Sequence, residues 1–464
     1  METTTVASSA PRLRRSLTLW DLILYGVIVI QPVAPMSVFG VLSNRGHGHV
    51  VTTILLAMVG MLFTAISYGR MARVYPSAGS AFTYVGQEIN PVLGYITGWS
   101  MVMDYMLNPM ICIIWCSQEA HVFAPHVAYW IWAIFFAAVF TMLNIQGVKT
   151  SARVNTALAA GMGAVIAIFF VAAARYVFHT PHDGAGFFTR PFYDPQMFDF
   201  RAVLGGTSIA VLTYIGFDGI STLSEEAENP RRNILLATVL TCLVIGILSA
   251  IEVYGAQLIW PASQPFPNED TAFVAVAQRA WPPLFAIVGF TLLVANFGSG
   301  MGAQIGAARL LYGMGRSNAL PKSFFGAVDS KHHVPRNNVL FVAGIALIGA
   351  FLVIVPFRRS AVCGGTAFCY GLGAEMLNFG ALIAFMGVNA AALVHYFIRQ
   401  SDKKVMNLLP PVAGFVICFA LWLGLSNPAK IAGVIWMAVG IGFGAWKTSG
   451  FRGSLINFDL PEES

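Results

Sequence analysis

The chain has 464 residues, of which 57% are hydrophobic and only 10% are Asp, Glu, Lys or Arg. Soluble globular proteins carry about 25% charged residues, so this composition all but excludes a soluble fold and indicates a surface that mostly faces lipid. The net charge of +6, from 27 basic and 21 acidic residues, would suit a nucleic-acid or an anionic-lipid surface until the basic residues are placed along the chain.

Twelve segments are apolar and long enough, at roughly 20 residues, to cross a bilayer as helices. They are predicted at residues 19–43, 50–74, 92–122, 128–147, 154–178, 203–225, 234–260, 281–311, 338–356, 372–398, 408–426 and 430–447. The loops between them are short. We therefore expect an all-α integral membrane protein with an N-terminal tail (1–18), a ten-helix core (19–398), helices eleven and twelve (399–448) and a C-terminal tail (449–464).

The basic residues orient these helices. The arginines before residue 19 resemble the start of a signal peptide, but the apolar stretch is too long and lacks a cleavage site, so we expect it to be retained as the first helix. With the N-terminus inside, 19 of the 27 Lys and Arg residues lie on the inner side. The positive-inside rule then predicts a multi-pass protein of the cell (inner) membrane with both termini cytoplasmic. The basic excess is a topology signal, and no nucleic-acid partner is expected.

Two of the predicted spans are interrupted by helix-breaking residues. The first contains QPVAP at residues 31–35, whose two prolines lack N–H donors, and the sixth contains GFDG at residues 216–219. Irregular backbone inside a membrane is tolerated where it is buried in protein or lines a cavity. A single proline kink would carry little weight, but matched interruptions in corresponding spans of two five-helix halves are typical of inverted-repeat secondary transporters, which bind substrate there.

Three motifs in order resemble the amino acid-polyamine-organocation transporter superfamily. Residues 214–226 (YIGFDGISTLSEE) with 228–232 (ENPRR) resemble its sixth-helix signature, residues 75–84 (YPSAGSAFTY) its loop after helix two, and residues 309–316 (RLLYGMGR) with Leu320-Pro321 its loop after helix eight. The resemblance spans all twelve predicted helices. It implies a leucine-transporter-type fold, in which helices one to five and six to ten are inverted repeats and two helices follow.

Within the superfamily the chain resembles the bacterial putrescine importer branch. The similarity covers residues 17–20 (LTLW) leading to Gln31-Pro32, residues 69–79, residues 98–110 (GWSMVMDYMLNPM) and residues 378–382 (NFGAL). Amino-acid permeases of the superfamily usually hold the substrate carboxylate with free N–H groups at a glycine-rich break in helix one, an anion site at a helix terminus. This chain has two prolines and no glycine there. The difference favours a substrate that bears amines and no carboxylate, such as putrescine.

A doubly charged amine in a low-dielectric cavity requires acidic partners, because an unpaired buried charge is very costly. The acids inside predicted spans are Asp104, Glu119, Asp218, Glu225, Glu226, Glu252 and Glu375. On an α-helix, Asp218 would share one face with Ser221, Thr222 and Glu225. We expect Asp218 beside the substrate and Glu225 deeper, on the exit path or as a proton site. Alternatively, Glu225 and Glu226 mark a cytoplasmic helix end and pair with Arg231 or Arg232.

Helix three offers a second polar group. Asp104 and Asn108 share a face next to Tyr105, whose ring could provide a cation–π surface; alternatively they make interhelical hydrogen bonds. Glu375 enters helix ten from the outer side, where it could attract cations or simply balance Arg358 or Arg359. For Glu252 a structural role fits the sequence as well as any other.

The resemblance leaves the coupling ion open. Asn296 and Ser299 fall where sodium-coupled relatives place cation ligands, whereas proton-coupled relatives of the amino-acid type often have a lysine where this chain has Met162. A carboxylate such as Glu225 could carry the proton instead.

The residues expected to bind substrate are Gln31, Pro32, Ala34, Asp104, Tyr105, Asn108, Tyr214, Gly216, Phe217, Asp218 and Glu375. The residues expected to serve coupling or gating are Ser221, Thr222, Glu225, Asn296 and Ser299. No cofactor or metal site is expected, because neither the histidines nor the six cysteines have ligand spacing. Cys363 and Cys369 share a predicted periplasmic loop and could form a disulfide.

The leading hypothesis is a secondary active importer of a polyamine, a small cationic substrate, with a coupling proton. The alternative is an amino-acid permease in which Gly205, Gly206 and Gly216 contact the substrate anion. An intramembrane enzyme is disfavoured because the chain lacks hydrolase and metalloprotease motifs. A substrate sensor would share the pocket, but the predicted tails are too short for a signalling domain.

Overall fold

The computed structural model describes residues 17–76, 79–146, 152–182, 186–224, 227–329, 334–355, 368–400 and 403–450. Within these ranges the chain is helical apart from turns and an isolated backbone bridge between Leu17 and Ala227. The α-helices are α1 (Leu19–Ile30), α2 (Ala34–Arg45), α3 (Val50–Val74), α4 (Ser80–Glu88), α5 (Pro91–Phe123), α6 (Tyr129–Ile145), α7 (Ala152–His179), α8 (Phe200–Ala210), α9 (Pro230–Ile259), α10 (Ala272–Ala280), α11 (Leu284–Arg316), α12 (Lys322–Phe325), α13 (Arg336–Leu352), α14 (Tyr370–Ala392), α15 (Val405–Gly424) and α16 (Asn427–Lys447).

The expectation of an all-helical membrane protein is confirmed. In the described part of the chain, nine helices are long and apolar enough to cross a membrane, and the bent pair α1 and α2 adds a tenth. Two shorter apolar helices, α6 and α13, coincide with the fourth and ninth predicted spans. The exact count of twelve spans and the inverted repeat stay predictions.

The first predicted span is broken where its prolines lie. Helix α1 begins with a capping box between Thr18 and Asp21, which satisfies free N–H groups of its first turn. It ends at Ile30, because Gln31 adopts a φ of 68° and the next residue, Pro32, has no N–H to continue the ladder. Helix α2 starts at Ala34 and is inclined by 42° to α1.

The sixth predicted span is broken more extensively than the sequence indicates. Helix α8 continues as two 3-10 segments, Val211–Tyr214 and Asp218–Leu223, joined through Gly216 at a φ of 119°. A 3-10 helix has three residues per turn, so Asp218 aligns with Ser221 and not with Thr222. The expectation that Asp218, Ser221 and Thr222 share one α-helical face is therefore wrong, and Glu225 lies outside the described residues.

Replacing Gly216 by Ala is expected to lower the thermal unfolding temperature in detergent. An added Cβ would lie 2.8 Å from Cγ1 of Val29, and the positive φ is a region essentially reserved for glycine, with a strain of about 1–3 kcal/mol. Gly205→Ala in α8 is the matched control, because its nearest neighbour would be an ordinary 3.7 Å away. An equal shift in both variants would contradict the argument.

The remaining helices form the frame around these two breaks. Helix α9 packs along α3, while α5 packs against α11 and α14. Helices α15 and α16 keep many apolar side chains exposed, among them Val416, Phe419 and Ile435, as expected for surfaces that face lipid chains. The frame encloses the backbone breaks and the acids beside them.

Candidate functional site

A small, partly open cavity lies beside the first break. It is lined by residues of α1, the break and α2 (Val29, Ile30, Gln31, Ala34, Ser37), of α5 (Asn108, Ile111, Cys112), of span six (Leu212, Ile215), of α11 (Asn296, Ser299) and by Tyr370 of α14. Five of the predicted site residues therefore meet here: Gln31, Ala34, Asn108, Asn296 and Ser299. Pro32 is buried within the break next to them.

The polar atoms of this cavity partly serve the broken backbone. Ser299 Oγ donates to the carbonyl of Val29 at 2.9 Å, an oxygen near the end of α1. Asn296 Nδ2 donates to Leu292 O at 3.0 Å and to Ser37 Oγ at 3.3 Å. The side-chain oxygen of Gln31 is buried and has no hydrogen-bond partner among the described residues. It is an acceptor available to a ligand that donates.

Asp218 follows the cavity residue Ile215 by three positions in the chain. Its side chain is 1% exposed. Tyr105 donates its hydroxyl to Asp218 Oδ2 at 2.8 Å, and the N–H of Gly216 donates to Oδ1 at 3.2 Å. The 3-10 geometry after Gly216 brings this N–H to the carboxylate. Both oxygens are thus held in position by hydrogen-bond donors.

Asp104 forms an acid pair with Asp218. It is also 1% exposed, interacts electrostatically with Asp218, and its Oδ1 has no hydrogen-bond partner in the described part of the chain. It precedes the cavity residue Asn108 by one turn of α5. Neither member has an ion-pair partner among the described residues, so the pair is an uncompensated acidic site next to the cavity.

Aromatic and hydroxyl side chains close the site on the side where α1 begins. The Phe217 ring lies 5.6 Å from Tyr68 and 5.3 Å from Phe385, centroid to centroid. Ser221 Oγ and Ser80 Oγ of α4 are 2.7 Å apart, which joins span six to the helix after span two. Thr222 bonds locally, to Gly219 O at 2.7 Å.

Two predicted substrate residues point elsewhere. Tyr214 donates its hydroxyl to Ile54 O of α3 at 2.9 Å. Glu375 is paired with Arg45 at 3.0 Å and accepts from Ser426 at the start of α16. Arg45 is a partner the sequence did not suggest; Arg358 and Arg359 lie outside the described residues. Glu375 therefore ties α2, α14 and α16 together.

Some residues named in the sequence analysis lie at or beyond the limits of the described ranges. Glu226 and Cys363 lie outside it, as Glu225 does, while Cys369 is disulfide-bonded. Among the described residues there is no group of three or more His, Cys, Asp or Glu side chains that could hold a metal ion.

Comparison with known proteins identifies the family. The family model described as amino acid permease matches residues 32–452. The chain belongs to the amino acid permease family. It is 33% identical to a low-affinity putrescine importer of Escherichia coli K12, over 97% of this chain and 98% of the relative. It is 25% identical to a branched-chain amino acid permease of Lactococcus lactis, over 92% of each chain, and 24% identical to a cationic amino acid transporter of Arabidopsis thaliana, over 93% of this chain and 70% of the relative.

This permease is therefore a transporter of the amino acid-polyamine-organocation superfamily, as the sequence motifs predicted. Sequence reasoning missed Ser37 and Tyr370 in the cavity and Tyr68 and Ser80 beside the acid pair. Ser80 belongs to the motif at residues 75–84, which was available as a signal. The others have no local pattern that separates them from ordinary packing residues.

The permease also contains a buried ionic group that no motif indicated, which we call the Glu88 cluster (Tyr75, Glu88, His395, Arg399). Glu88 Oε1 accepts from Tyr75 at 2.8 Å and lies 2.5 Å from His395 Nδ1, and Oε2 lies 3.1 Å from Arg399. Burial and the bond to Glu88 raise the pKa of Tyr75 to about 12, so this hydroxyl remains a donor. His395 and Arg399 belong to a π-helical segment, Leu393–Arg399, that extends α14.

Proposed function

We propose that this permease is a secondary active importer of a putrescine-like diamine, coupled to protons and resident in the cell (inner) membrane with both termini cytoplasmic. The acid pair carries the proposal. Two buried carboxylates without a described cation, one of them with a free oxygen, form a site that an organic ammonium group would neutralise. The likeness to a putrescine importer over nearly the whole chain supports the same substrate class.

The first break supports a substrate without a carboxylate. An anion site at the start of α2 would need free N–H groups. Here Ala34 N donates to Gln31 O and Met36 N donates to Val33 O, each at 3.0 Å, while Pro32 and Pro35 have no N–H. The cavity instead presents the acceptor oxygen of Gln31, which suits an amine donor.

The two broken spans also suggest the transport mechanism. In inverted-repeat transporters the broken helices rock against the frame and expose the central site to each side in turn. Under the proposed orientation the cavity opens from the outer side of the breaks, and the Ser80–Ser221 contact closes the cytoplasmic side. Inward transport would require that contact to separate.

Uptake into proteoliposomes tests the proposal. Purified protein should accumulate radiolabelled putrescine when an inward proton gradient is imposed, well above empty vesicles and above the same vesicles without a gradient. Absence of gradient-dependent uptake by demonstrably folded protein would refute a proton-coupled diamine importer.

Transport of an amino acid is the second candidate function, and it is favoured by the branched-chain and cationic amino-acid transporters among the relatives. The glycines expected to contact an anion are poorly placed for it, because Gly216 N donates to Asp218 and Gly206 packs against Gly46. Thermal-shift screening separates the candidates, since a ligand that binds only the folded state raises apparent stability. Stabilisation by amino acids but not by diamines would favour an amino-acid substrate.

A further inference from the structure

Glu252 of α9 is a buried acid that the proposed substrate site does not use. Its side chain is 0% exposed, and neither carboxylate oxygen has a hydrogen-bond partner among the described residues. It lies seven residues before the end of α9 at Ile259, about 10 Å inside the helix end. Ser249, one turn earlier on the same face, is equally buried and its Oγ is likewise without a described partner.

No described cation balances this carboxylate. The elements that pack against α9 are α1, α2, α3, α7, α10 and both 3-10 segments of span six. Their described cationic side chains are Arg45, Arg70, Arg73, Arg175, His179 and Arg279. Arg45 pairs with Glu375, Arg70 bonds to Met406 and Asn407, and Arg279 bonds to Tyr176. The other three are exposed.

The other titratable side chains on these elements do not bond to Glu252 either. They are Asp21, Tyr25, Tyr68, Tyr176, Tyr214 and Asp218, and none bonds to its oxygens. A bare carboxylate in such surroundings is very costly, and a buried acid without a partner becomes neutral by taking up a proton.

The position of α9 links a proton bound to Glu252 to the two broken spans, which are expected to move during transport. Within the described residues, α9 contacts the pieces on both sides of each break, namely α1 and α2 of span one and the two 3-10 segments of span six. Loss of the proton would leave a buried charge on this helix, which the surrounding helices could relieve only by rearranging to admit water or a cation. A change of charge on α9 therefore biases both broken spans together.

We propose that Glu252 is a proton-binding site separate from the acid pair, and that the proton it binds and releases is the ion coupled to transport. This inference rests on the proposed function for its coupling role. Glu119 provides a matched control, because it too is 1% exposed with both oxygens unpartnered among the described residues. It differs by lying on α5, against Gly289 of α11.

Infrared difference spectroscopy on purified protein in lipid tests the proton itself, without transport. Wild-type protein should show the C=O stretch of a protonated carboxylic acid that is absent from Glu252→Gln and that disappears as pH rises. The same bands in wild type and Glu252→Gln would overturn the assignment. If Glu252→Gln does not fold, Glu252→Asp should shift the band in frequency, and an unshifted band would likewise overturn it.

Transport then tests the coupling. A gradient equivalent to about 100 mV supports roughly 50-fold accumulation per coupled proton. Glu252→Gln should lose this accumulation and still exchange labelled for unlabelled putrescine, whereas Glu119→Gln should retain the accumulation. Gradient-driven accumulation that persists in Glu252→Gln would overturn the coupling role. Failure of wild-type protein to transport putrescine would refute the proposed function and leave the infrared result standing.

Discussion

Replacing Asp218 by Asn is expected to abolish diamine binding while the protein still inserts and folds. The carboxylate is the member of the acid pair whose two oxygens are oriented by Tyr105 and Gly216, so its charge is directed at a fixed position. Removing one partner of a buried charge pair costs roughly 2–5 kcal/mol, which corresponds to a dissociation constant at least about 30-fold higher. Equilibrium binding of radiolabelled putrescine to detergent-solubilised protein measures this.

The control for this result is another carboxylate changed to an amide. Glu269 is exposed and accepts a hydrogen bond from Asn44 at 3.0 Å, away from the acid pair. Glu269→Gln should bind putrescine as the wild type does, and Tyr105→Phe should fall between the two because it removes one orienting donor. An unchanged affinity in Asp218→Asn would remove this residue from the site.

Glu88→Ala is expected to lower the free energy of unfolding more than the substitution of any solvent-exposed side chain does. The side chain is 1% exposed and accepts from Tyr75 and His395 while facing Arg399. Its loss leaves these groups without their acceptor, and breaking a buried charged group in this way costs about 3 kcal/mol. Thermal unfolding of the purified protein in detergent should show a clear decrease in midpoint temperature.

Arg399→Gln separates the buried from the exposed part of the Glu88 cluster. The Arg399 side chain is 54% exposed, so solvent screens its charge and its pair with Glu88 is worth at most about 1 kcal/mol. We therefore expect a small shift for Arg399→Gln and a large one for Glu88→Ala. Similar shifts in the two variants would mean that burial of Glu88 does not determine its contribution.

The sequence located the breaks because their causes are local. Pro32 and Gly216 act on the backbone at their own positions. The C-terminal end of α1 and the irregular course of the chain after α8 were therefore predictable. The detailed geometry of span six was not, since a 3-10 segment and an α-helix of the same residues have the same hydrophobic pattern.

Contacts between distant residues escaped prediction for a different reason. Tyr105 and Asp218 are 113 positions apart and Arg45 and Glu375 are 330 apart, and only the packing of whole helices determines such pairs. Reasoning from sequence neighbours offered Arg358 or Arg359 for Glu375. The helix that carries an acid can be inferred from periodicity, whereas its partner depends on the tertiary arrangement.

Hydrogen bonds tie both breaks to neighbouring helices, and this constrains how each of them can move. Around Gly216, the side chains of Asp218, Ser221 and Thr222 bind backbone atoms within the same short stretch, but Tyr105 also donates to Asp218 and Ser80 lies within hydrogen-bond distance of Ser221. At the first break, Ser299 of α11 reaches across to Val29. Neither span can therefore tilt without exchanging a bond with its neighbours. Span six can keep its internal hydrogen bonds as it moves, so the exchange falls on its bonds to Ser80 and Tyr105, whereas in span one it falls on the bond from Ser299.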